Sequence, residues 1–316
     1  MKRAILSVAT ALCFAAANAQ ESQTFGNFLR LPVNAHAAAL GGDNITLTDD
    51  NPSIAFHNPA LACNAAERML GLGAMTYMQG AWSGSACYSD TIGGRGTWTA
   101  MGQFMDYGEM SRRDEAGTDQ GKFAARDIAV GGAFAYALTD RIAAGVSLKM
   151  VYSSIAEWSA VAVGVDLGAN YYDEDEGWSV SAVARNLGGQ LKPYEDTYEK
   201  LPFDLQLGAS KTLGYSPLTI HATLTRLNCW DEKFINHIVI GADVRLGEQL
   251  YLAAGYSPRC ANQMGIISAG EEKAAAHGAG LSVGGGLRLE RFQLHLAYAK
   301  YHVSSNSLSL NISYRL

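Results

Sequence analysis

The sequence predicts an all-β protein, a transmembrane antiparallel β-barrel of about 14 strands with a short N-terminal helical hatch. Three observations favour this fold. From residue 69 onward, segments of about ten residues alternate apolar with small or polar side chains. After the N-terminal leader, no segment approaches the roughly 18 continuous apolar residues of a membrane helix. The connections between segments are alternately short and long, as in outer-membrane barrels.

The leader has the features of a secretory signal peptide. Lys2 and Arg3 precede an apolar run from Ala4 to Ala16, and Ala17-Asn18-Ala19 fits the small-x-small rule for cleavage. The apolar run is too short to span a bilayer. We therefore expect three regions: a signal peptide over 1–19, a hatch or plug over 20–66 and an outer-membrane barrel over 67–316.

The hatch contains its own helix signals. Asn51-Pro52 and Asn58-Pro59 each place an N-cap residue before a proline suited to the first helical position, which predicts two short helical turns. Gly41-Gly42 ends the alanine-rich helix that precedes them. Acidic residues and an Asn-Pro-Ala motif complete the candidate hatch motif: Gly41, Gly42, Asp49, Asp50, Asn58, Pro59 and Ala60.

The strands follow from the period-2 pattern. In the last segment Leu308, Leu310 and Ile312 alternate with Ser309 and Asn311. A soluble β-sandwich would alternate in the same way and is the alternative fold. The predicted strands are 69–78, 81–89, 97–107, 128–138, 142–152, 160–172, 177–187, 202–212, 218–227, 236–247, 249–257, 280–288, 291–301 and 306–316.

Fourteen strands place both termini at the short-turn end, which faces the periplasm. The hatch is then expected to start at that end and to enter the barrel from below. The three longest loops, Gly108 to Arg126, Gly188 to Lys200 and Arg259 to Gly278, are the predicted docking surfaces, since loops on a rigid scaffold commonly carry binding.

Side-chain parity separates a lipid face from a lumen face. Aromatic residues at strand ends predict interfacial girdles, among them Trp98, Tyr152, Trp178 and Tyr314. Arg226 has lipid-face parity at a strand end, where it can snorkel. The charged and histidine residues predicted to face the lumen are Lys149, Asp166, Arg185, Asp204, His221, His237, Asp243, Arg245, Arg288 and His295.

The charge balance limits the partners. The chain carries 24 basic and 30 acidic residues, a net charge of −6, and cleavage of the leader removes Lys2 and Arg3. This argues against nucleic acid as a partner. The expected partners are outer-membrane lipid and other proteins, in the bacterial outer membrane.

Several segments resemble the PorV/PorQ family of the type IX secretion system of Bacteroidota, and PorQ more closely. The residues that carry the resemblance are Leu31-Pro32, Ala37 to Gly42, Thr48-Asp49-Asp50, His57 to Leu61, Gly121 to Asp127, Lys149 to Ser154 and Leu201 to Gly208. The resemblance implies a component of type IX protein secretion or cell-surface attachment that binds partner proteins and has no enzyme activity. That family's barrels are similar to FadL-type transporters, so the alternative function is a channel for a hydrophobic small molecule.

Other chemistry is weighed against simpler explanations. An outer-membrane hydrolase would need a nucleophile beside His221, His237 or His295, and no local motif supplies one. The acidic run Asp173 to Glu176 lacks the spacing of a calcium loop. A hydrophobic-ligand pocket could use residues that equally well pack the hatch: Phe28, Leu29, Leu31, Ile54 and Phe56.

Four cysteines follow the leader: Cys63, Cys87, Cys229 and Cys260. Export to an oxidising compartment allows disulfides, and the predicted topology permits the pairs 229–260 and 63–87 if the Cα atoms come within about 7 Å. No Cys-x-x-Cys or Cys/His cluster indicates a metal, and no cofactor is expected.

Overall fold

The computed structural model describes residues 24–78, 80–114, 118–214, 216–264, 266–268, 271–273, 278–302 and 305–316. The predicted signal peptide lies outside the described residues. Sixteen strands are present in this part of the chain: β1 Met69–Thr76, β2 Trp82–Ile92, β3 Gly96–Arg113, β4 Asp119–Ala137, β5 Ile142–Ile155, β6 Trp158–Asp173, β7 Trp178–Lys192, β8 Asp204–Thr212, β9 Leu218–Leu224, β10 Ile238–Leu246, β11 Leu250–Tyr256, β12 Ile266–Ser268, β13 Glu271–Lys273, β14 Leu281–Arg288, β15 Phe292–His302 and β16 Ser305–Arg315.

Fourteen of these strands form one closed antiparallel barrel, in which β1 pairs with β16, and β12 and β13 form a separate hairpin. The predicted fold and strand number are therefore confirmed. Closure satisfies the backbone hydrogen bonds that an open sheet edge would leave unpaired in hydrocarbon. No helix in the described residues is long and apolar enough to cross a membrane.

The outer face of the barrel is apolar. Along β5, Val146, Leu148 and Met150 are exposed, whereas Ser147 between the first two and Val151 after Met150 are buried toward the lumen. The same alternation exposes a belt of leucines around the barrel: Leu72, Leu148, Leu207, Leu252, Leu296 and Leu308. Soluble proteins rarely expose a contiguous apolar surface of this extent, so the belt contacts lipid.

The predicted loop Gly108 to Arg126 is wrong, because most of it belongs to the extended strands β3 and β4. Both faces of this extension are exposed and polar, so the alternation that identifies lipid-embedded strands is missing there. Ion pairs between adjacent strands hold it instead, including Lys122 with Glu109 at 2.9 Å and Arg126 with Asp106 at 3.2 Å. The extension stands above the hydrocarbon as a hairpin.

The other two predicted loops also contain regular secondary structure. β7 continues to Lys192, which takes the first part of the loop Gly188 to Lys200. The loop Arg259 to Gly278 contains most of helix α2, Pro258–Gln263, and the small hairpin β12–β13. Strands β3 to β7 have 14 to 19 residues, whereas β8 to β11 have 7 to 9. The barrel wall is therefore tall on one side and short on the other.

The hatch has the predicted local structure. Helix α1 spans Ala35–Ala39, and three 3-10 helices span Asn27–Arg30, Pro52–Phe56 and Pro59–Asn64. The Asn51 and Asn58 side chains accept hydrogen bonds from Ser53 N and Ala60 N, as expected of N-caps. After α1 the backbone φ is +103° at Gly41 and +99° at Gly42, which ends the helix.

The direction of the hatch differs from the prediction. Phe25 N donates to Lys200 O at 3.0 Å, in the connection between β7 and β8 at the long-loop end. The chain then runs down inside the lumen, and Asp50 reaches Gln293 near the short-turn end. The described part of the hatch thus begins at the long-loop end, where Phe25 and Phe28 are buried among apolar residues of the upper barrel wall.

All four described cysteines are free thiols, so neither predicted disulfide is formed. Cys87 lies on the lumen face beside Gly71, where an added Cβ would be 2.8 Å from its sulfur. The Cys229 sulfur accepts a hydrogen bond from Asn228, whereas Cys260 lies in helix α2. The members of each predicted pair lie at the same end of the barrel, but their sulfur atoms are not bonded to each other.

Candidate functional site: the lumen and its hatch

Buried asparagines join the hatch to the barrel wall. Asn58 donates to Ile45 O at 3.1 Å and to Ser181 Oγ of β7 at 3.2 Å. From the opposite wall, Asn311 of β16 donates to Val33 O at 3.1 Å, and its oxygen accepts from Ala35 N. Each amide satisfies hatch backbone groups that are shielded from water. Asn311 was predicted only as a lumen-face residue.

Glycines on the wall allow the hatch to approach closely. An added Cβ at Gly255 of β11 would lie 2.2 Å from the Leu40 carbonyl carbon and 2.3 Å from Gly41 N. The Asn-Pro-Ala segment of the hatch meets the wall in the same way at Gly145 of β5. The small residues that the sequence places on the lumen face therefore form the surface on which the hatch sits.

The acidic members of the predicted motif lie lower in the lumen. Asp49 is buried and pairs with Arg288 of β14 at 2.6 Å and with His36 of α1 at 3.4 Å. Asp50 accepts a hydrogen bond from Gln293 of β15 at 2.8 Å. The structure therefore places both carboxylates where the hatch meets the wall.

A cluster of packed apolar side chains, which we name the apolar chamber, fills the long-loop end of the lumen. The hatch contributes Phe25, Phe28 and Leu29, which are buried. The surrounding residues come from the wall and the upper loops: Met105, Ala129, Val151, Ala160, Ala162 and Leu201, with the partly buried Tyr77, Met78, Tyr107 and Tyr194. The apolar surface of the wall is thus occupied by side chains of the hatch.

The predicted pocket of five hatch residues is not a single pocket. Phe28, Leu29 and Leu31 pack in the apolar chamber, whereas Ile54 and Phe56 pack in two other clusters. The sequence predicted hatch residues of the chamber but not the residues that the barrel wall contributes to it. Val151 and Met105 could have been found from their apolar character at lumen-face positions, where most neighbours are small or polar.

A charged vestibule of about 370 Å³ borders the chamber on the short side of the barrel. Arg185 donates to Leu29 O at 3.0 Å and lies 3.9 Å from Asp43. Arg226 also lines the vestibule and pairs with Glu232 at 3.2 Å. The expectation that Arg226 snorkels along the lipid face is wrong, because β9 ends at Leu224 and the backbone φ of Arg226 is +57°.

Burial changes the titration of hatch groups in this vestibule. Burial first, and the negative charge of Asp204 second, raise the pKa of the Asp43 carboxyl to about 6. Burial lowers the pKa of the Arg30 guanidinium, which the charges of Asp204 and Asp43 partly oppose. Asp43 therefore holds a proton more readily than a fully exposed aspartate does.

A second cavity of about 330 Å³ opens at the short-turn end. Its lining is mostly polar and includes His36, Asp49 and Arg288 around the lower hatch, and His221 and Asp243 on the wall. His221 Nε2 lies 2.6 Å from Asp243 Oδ2. This cavity suits water and polar groups better than an apolar molecule.

The predicted lumen charges include a buried ion pair. Lys149 Nζ of β5 lies 2.8 Å from the Asp166 carboxylate of β6. Asp166 also accepts from Ser147 Oγ at 2.7 Å and from Asn186 N at 2.7 Å. Asn186 adopts φ +59° at a bulge between β6 and β7, which brings its backbone amide to the carboxylate.

The three lumen histidines have partners other than serine hydroxyls. His221 bonds to Asp243, His237 Nδ1 to Thr225 O at 2.9 Å, and His295 Nδ1 to Tyr251 OH at 2.7 Å. Within the described residues, these imidazoles are therefore bonded to Asp243, Thr225 and Tyr251 rather than to serine hydroxyls.

The acidic run at the turn between β6 and β7 also has protein partners. Arg141 pairs with Asp173 at 2.6 Å and with Asp175 at 3.2 Å. Arg141 therefore neutralises part of the charge of this run, as expected for a solvated turn.

A closed barrel with an apolar outer belt and a hatch-filled lumen defines a bacterial outer-membrane β-barrel protein. Its fold is that of the FadL-type hydrocarbon channels. The chain superposes on a Pseudomonas aeruginosa FadL homologue with a TM-score of 0.58 at 11% identity, covering 90% of this chain and 98% of that one.

Two further solved structures show the same fold. The Pseudomonas putida toluene transporter TodX gives a TM-score of 0.58 at 12% identity, covering 91% of this chain and 99% of that one. The CymD monoaromatic hydrocarbon channel gives 0.59 at 13% identity, covering 90% and 97%. Neither a protein-family model nor a curated protein matches the sequence.

Proposed function

We propose that this barrel is an outer-membrane channel for a hydrophobic small molecule. The observation that carries the proposal is the apolar chamber at the long-loop end, in which the hatch residues Phe25, Phe28 and Leu29 pack against the barrel wall. An apolar molecule arriving from outside would compete with these side chains for the same wall. Burying an apolar side chain or an apolar ligand gains a similar free energy per unit of area, so the exchange costs little.

The fold supports this proposal. The solved structures that share it include a toluene transporter and a monoaromatic hydrocarbon channel. The hatch then serves as the gate. Its lower part is held by Asn58 and Asn311. In its upper part the side chains of Phe25, Phe28 and Leu29 make apolar contacts with the wall, while the backbone is hydrogen-bonded to Lys200 O and Arg185. Apolar contacts are the ones that an apolar ligand can replace.

Purification from native outer membranes tests the proposal. Organic extracts of the purified protein are expected to contain a retained apolar molecule, identified by mass spectrometry. Changing Val151→Thr keeps the side-chain shape and adds a hydroxyl to the chamber, so retention should fall roughly five- to thirtyfold for a cost of about 1 to 2 kcal/mol. Val163→Thr, at a lipid-facing position on the next strand, is the control and should retain the molecule.

Equal retention by the two variants would contradict binding in the chamber. Extracts of the wild-type protein that hold only bulk membrane lipids would contradict the channel function.

A second candidate function is partner binding in type IX secretion or cell-surface attachment. Two observations favour it: the hatch fills the lumen, and the hairpin of β3 and β4 raises charged residues such as Glu109, Arg112 and Lys122 above the hydrocarbon. The resemblance of the hatch motif to the PorV/PorQ family agrees with it. Secretion-complex proteins retained by the wild type, but lost when residues 108–124 are replaced by a short turn, would favour this function.

A further inference from the structure

Three buried side chains from the hatch and the wall lie close together beside the 330 Å³ cavity at the short-turn end. They are His36 of α1, Asp49 of the hatch and His295 of β15, and one ligand atom from each lies within 4.8 Å of the other two. We propose that they form a binding site for a divalent transition-metal ion of the zinc type. The proposal does not depend on which molecule or partner the barrel serves.

The donor set fits such an ion. Two imidazoles and one carboxylate are ligands that Zn²⁺ prefers, whereas Mg²⁺ and Ca²⁺ prefer oxygen ligands alone. Ligand atoms of one tetrahedral zinc ion lie about 3.4 Å apart, so atoms that now lie within 4.8 Å of one another need to approach by at most about 1.4 Å. A fourth position can be taken by water from the cavity.

One ring nitrogen in this group lacks a partner. His36 is buried, and its Nε2 has no hydrogen bond within the described residues. Its Nδ1 lies 3.4 Å from Asp49 Oδ2, longer than a strong hydrogen bond to a carboxylate. A buried polar atom without a partner is costly. Binding of a metal ion to the lone pair of the His36 imidazole would offset this cost.

Neighbouring residues orient the three ligands. Tyr251 stacks on His36 with ring centroids 3.9 Å apart, and its hydroxyl bonds to His295 Nδ1 at 2.7 Å. Arg288 contacts the Asp49 oxygen Oδ1, which leaves Oδ2 facing His36. Hydrogen bonds of this kind fix ring orientation and carboxylate geometry in protein metal sites.

The local charge also permits a cation. Arg288 is about half exposed and pairs with Asp50 at 3.1 Å as well as with Asp49. Two carboxylates therefore face one guanidinium, and a negative charge remains for the ion. The 330 Å³ cavity, lined by His36, Asp49 and Arg288, connects the site to the short-turn end and provides the path of entry.

A metal ion at this site would link the hatch to the barrel wall through their shared ligands. Two ligands belong to the hatch and the third to β15, so a bound ion would fix the lower hatch to the barrel. A site of this kind stabilises the closed lumen by the free energy of metal binding.

Metal titration of the full-length protein in lipid nanodiscs tests the proposal. After chelator treatment and dialysis, ZnCl₂ is titrated by calorimetry in competition with a zinc indicator, and MgCl₂ is titrated in parallel. We expect one zinc ion per chain and no competition from magnesium. His36→Gln and His295→Gln should each weaken zinc binding at least about tenfold, a loss seen even when residues that only orient ligands are changed.

His221→Gln is the matched control, since His221 lines the same cavity and also pairs with a carboxylate, that of Asp243. It should bind zinc as the wild type does. An equal loss in all three variants, or stoichiometric binding that none of them changes, would overturn the proposal.

Zinc-edge X-ray absorption on the wild type keeps the test independent of how the variants fold. Two imidazole ligands per zinc ion are expected. A spectrum with oxygen ligands only, or a wild-type protein without stoichiometric zinc, would overturn the site.

Discussion

Replacing Gly145 by valine is expected to displace the hatch from the barrel wall. The lumen, which the hatch seals in the wild type, should then conduct ions. A Cβ atom at residue 145 would lie 2.4 Å from the Pro59 carbonyl carbon and 2.5 Å from Ala60 N. Both are hatch backbone atoms, and the adjacent Asn58 ties this segment to the wall through its hydrogen bond to Ser181 Oγ of β7 at 3.2 Å. Neither the strand nor the hatch can move away without losing buried hydrogen bonds.

Overpacking of this kind costs about 1 to 3 kcal/mol, so the displaced state should become roughly five to more than a hundred times more populated. Single-channel recording in planar bilayers measures this change as conducting events that the wild type does not show. Gly189→Val is the control, since an added Cβ there meets no atom within 4 Å. A Gly145→Val barrel that folds and stays closed would show that the hatch does not seal the lumen.

Breaking the buried ion pair at Lys149 is expected to produce the second large effect. Lys149→Met keeps the length of the side chain and removes its charge, so the Asp166 carboxylate loses its cation while it remains buried. Leaving one charge of a buried pair without its partner typically costs 3 to 5 kcal/mol, and we expect about that loss in the free energy of unfolding. Urea unfolding of the barrel in lipid vesicles measures it.

Lys122→Met provides the comparison. Lys122 pairs with Glu109 between neighbouring strands at 2.9 Å, but both side chains are 67% exposed. Water screens that pair, so the expected loss is about 1 kcal/mol or less. Similar losses for the two variants would mean that water reaches Asp166 and that the lumen at this level is not sealed.

The sequence could predict the barrel because the membrane imposes its pattern on the chain. A side chain such as Leu148 must face lipid while its neighbour Ser147 faces the lumen, and this alternation gives strand number and parity directly. Where the strands extend beyond the membrane, apolar and polar side chains no longer need to alternate. The upper parts of β3 and β4 are polar on both faces, and their residues therefore had the composition of a loop.

The candidate site was predictable only in part. The capping signals at Asn51 and Asn58 are local, and the structure has both caps. The direction of the hatch depends on contacts such as Phe28 with the upper wall, which are distant in sequence. The grouping of His36, Asp49 and His295 has the same origin, because two ligands come from the hatch and one from a strand near the end of the chain.

The most direct test of the central claim, that the upper chamber binds an apolar molecule, is photolabelling in lipid nanodiscs with a diazirine-bearing hydrocarbon. Mass spectrometry locates the labelled residues. Labels are expected on lumen-side residues of the chamber, such as Phe28, Val151 and Leu201, and an excess of unlabelled hydrocarbon should remove them. Labels confined to the outer belt, on residues such as Leu148 and Leu252, would contradict it.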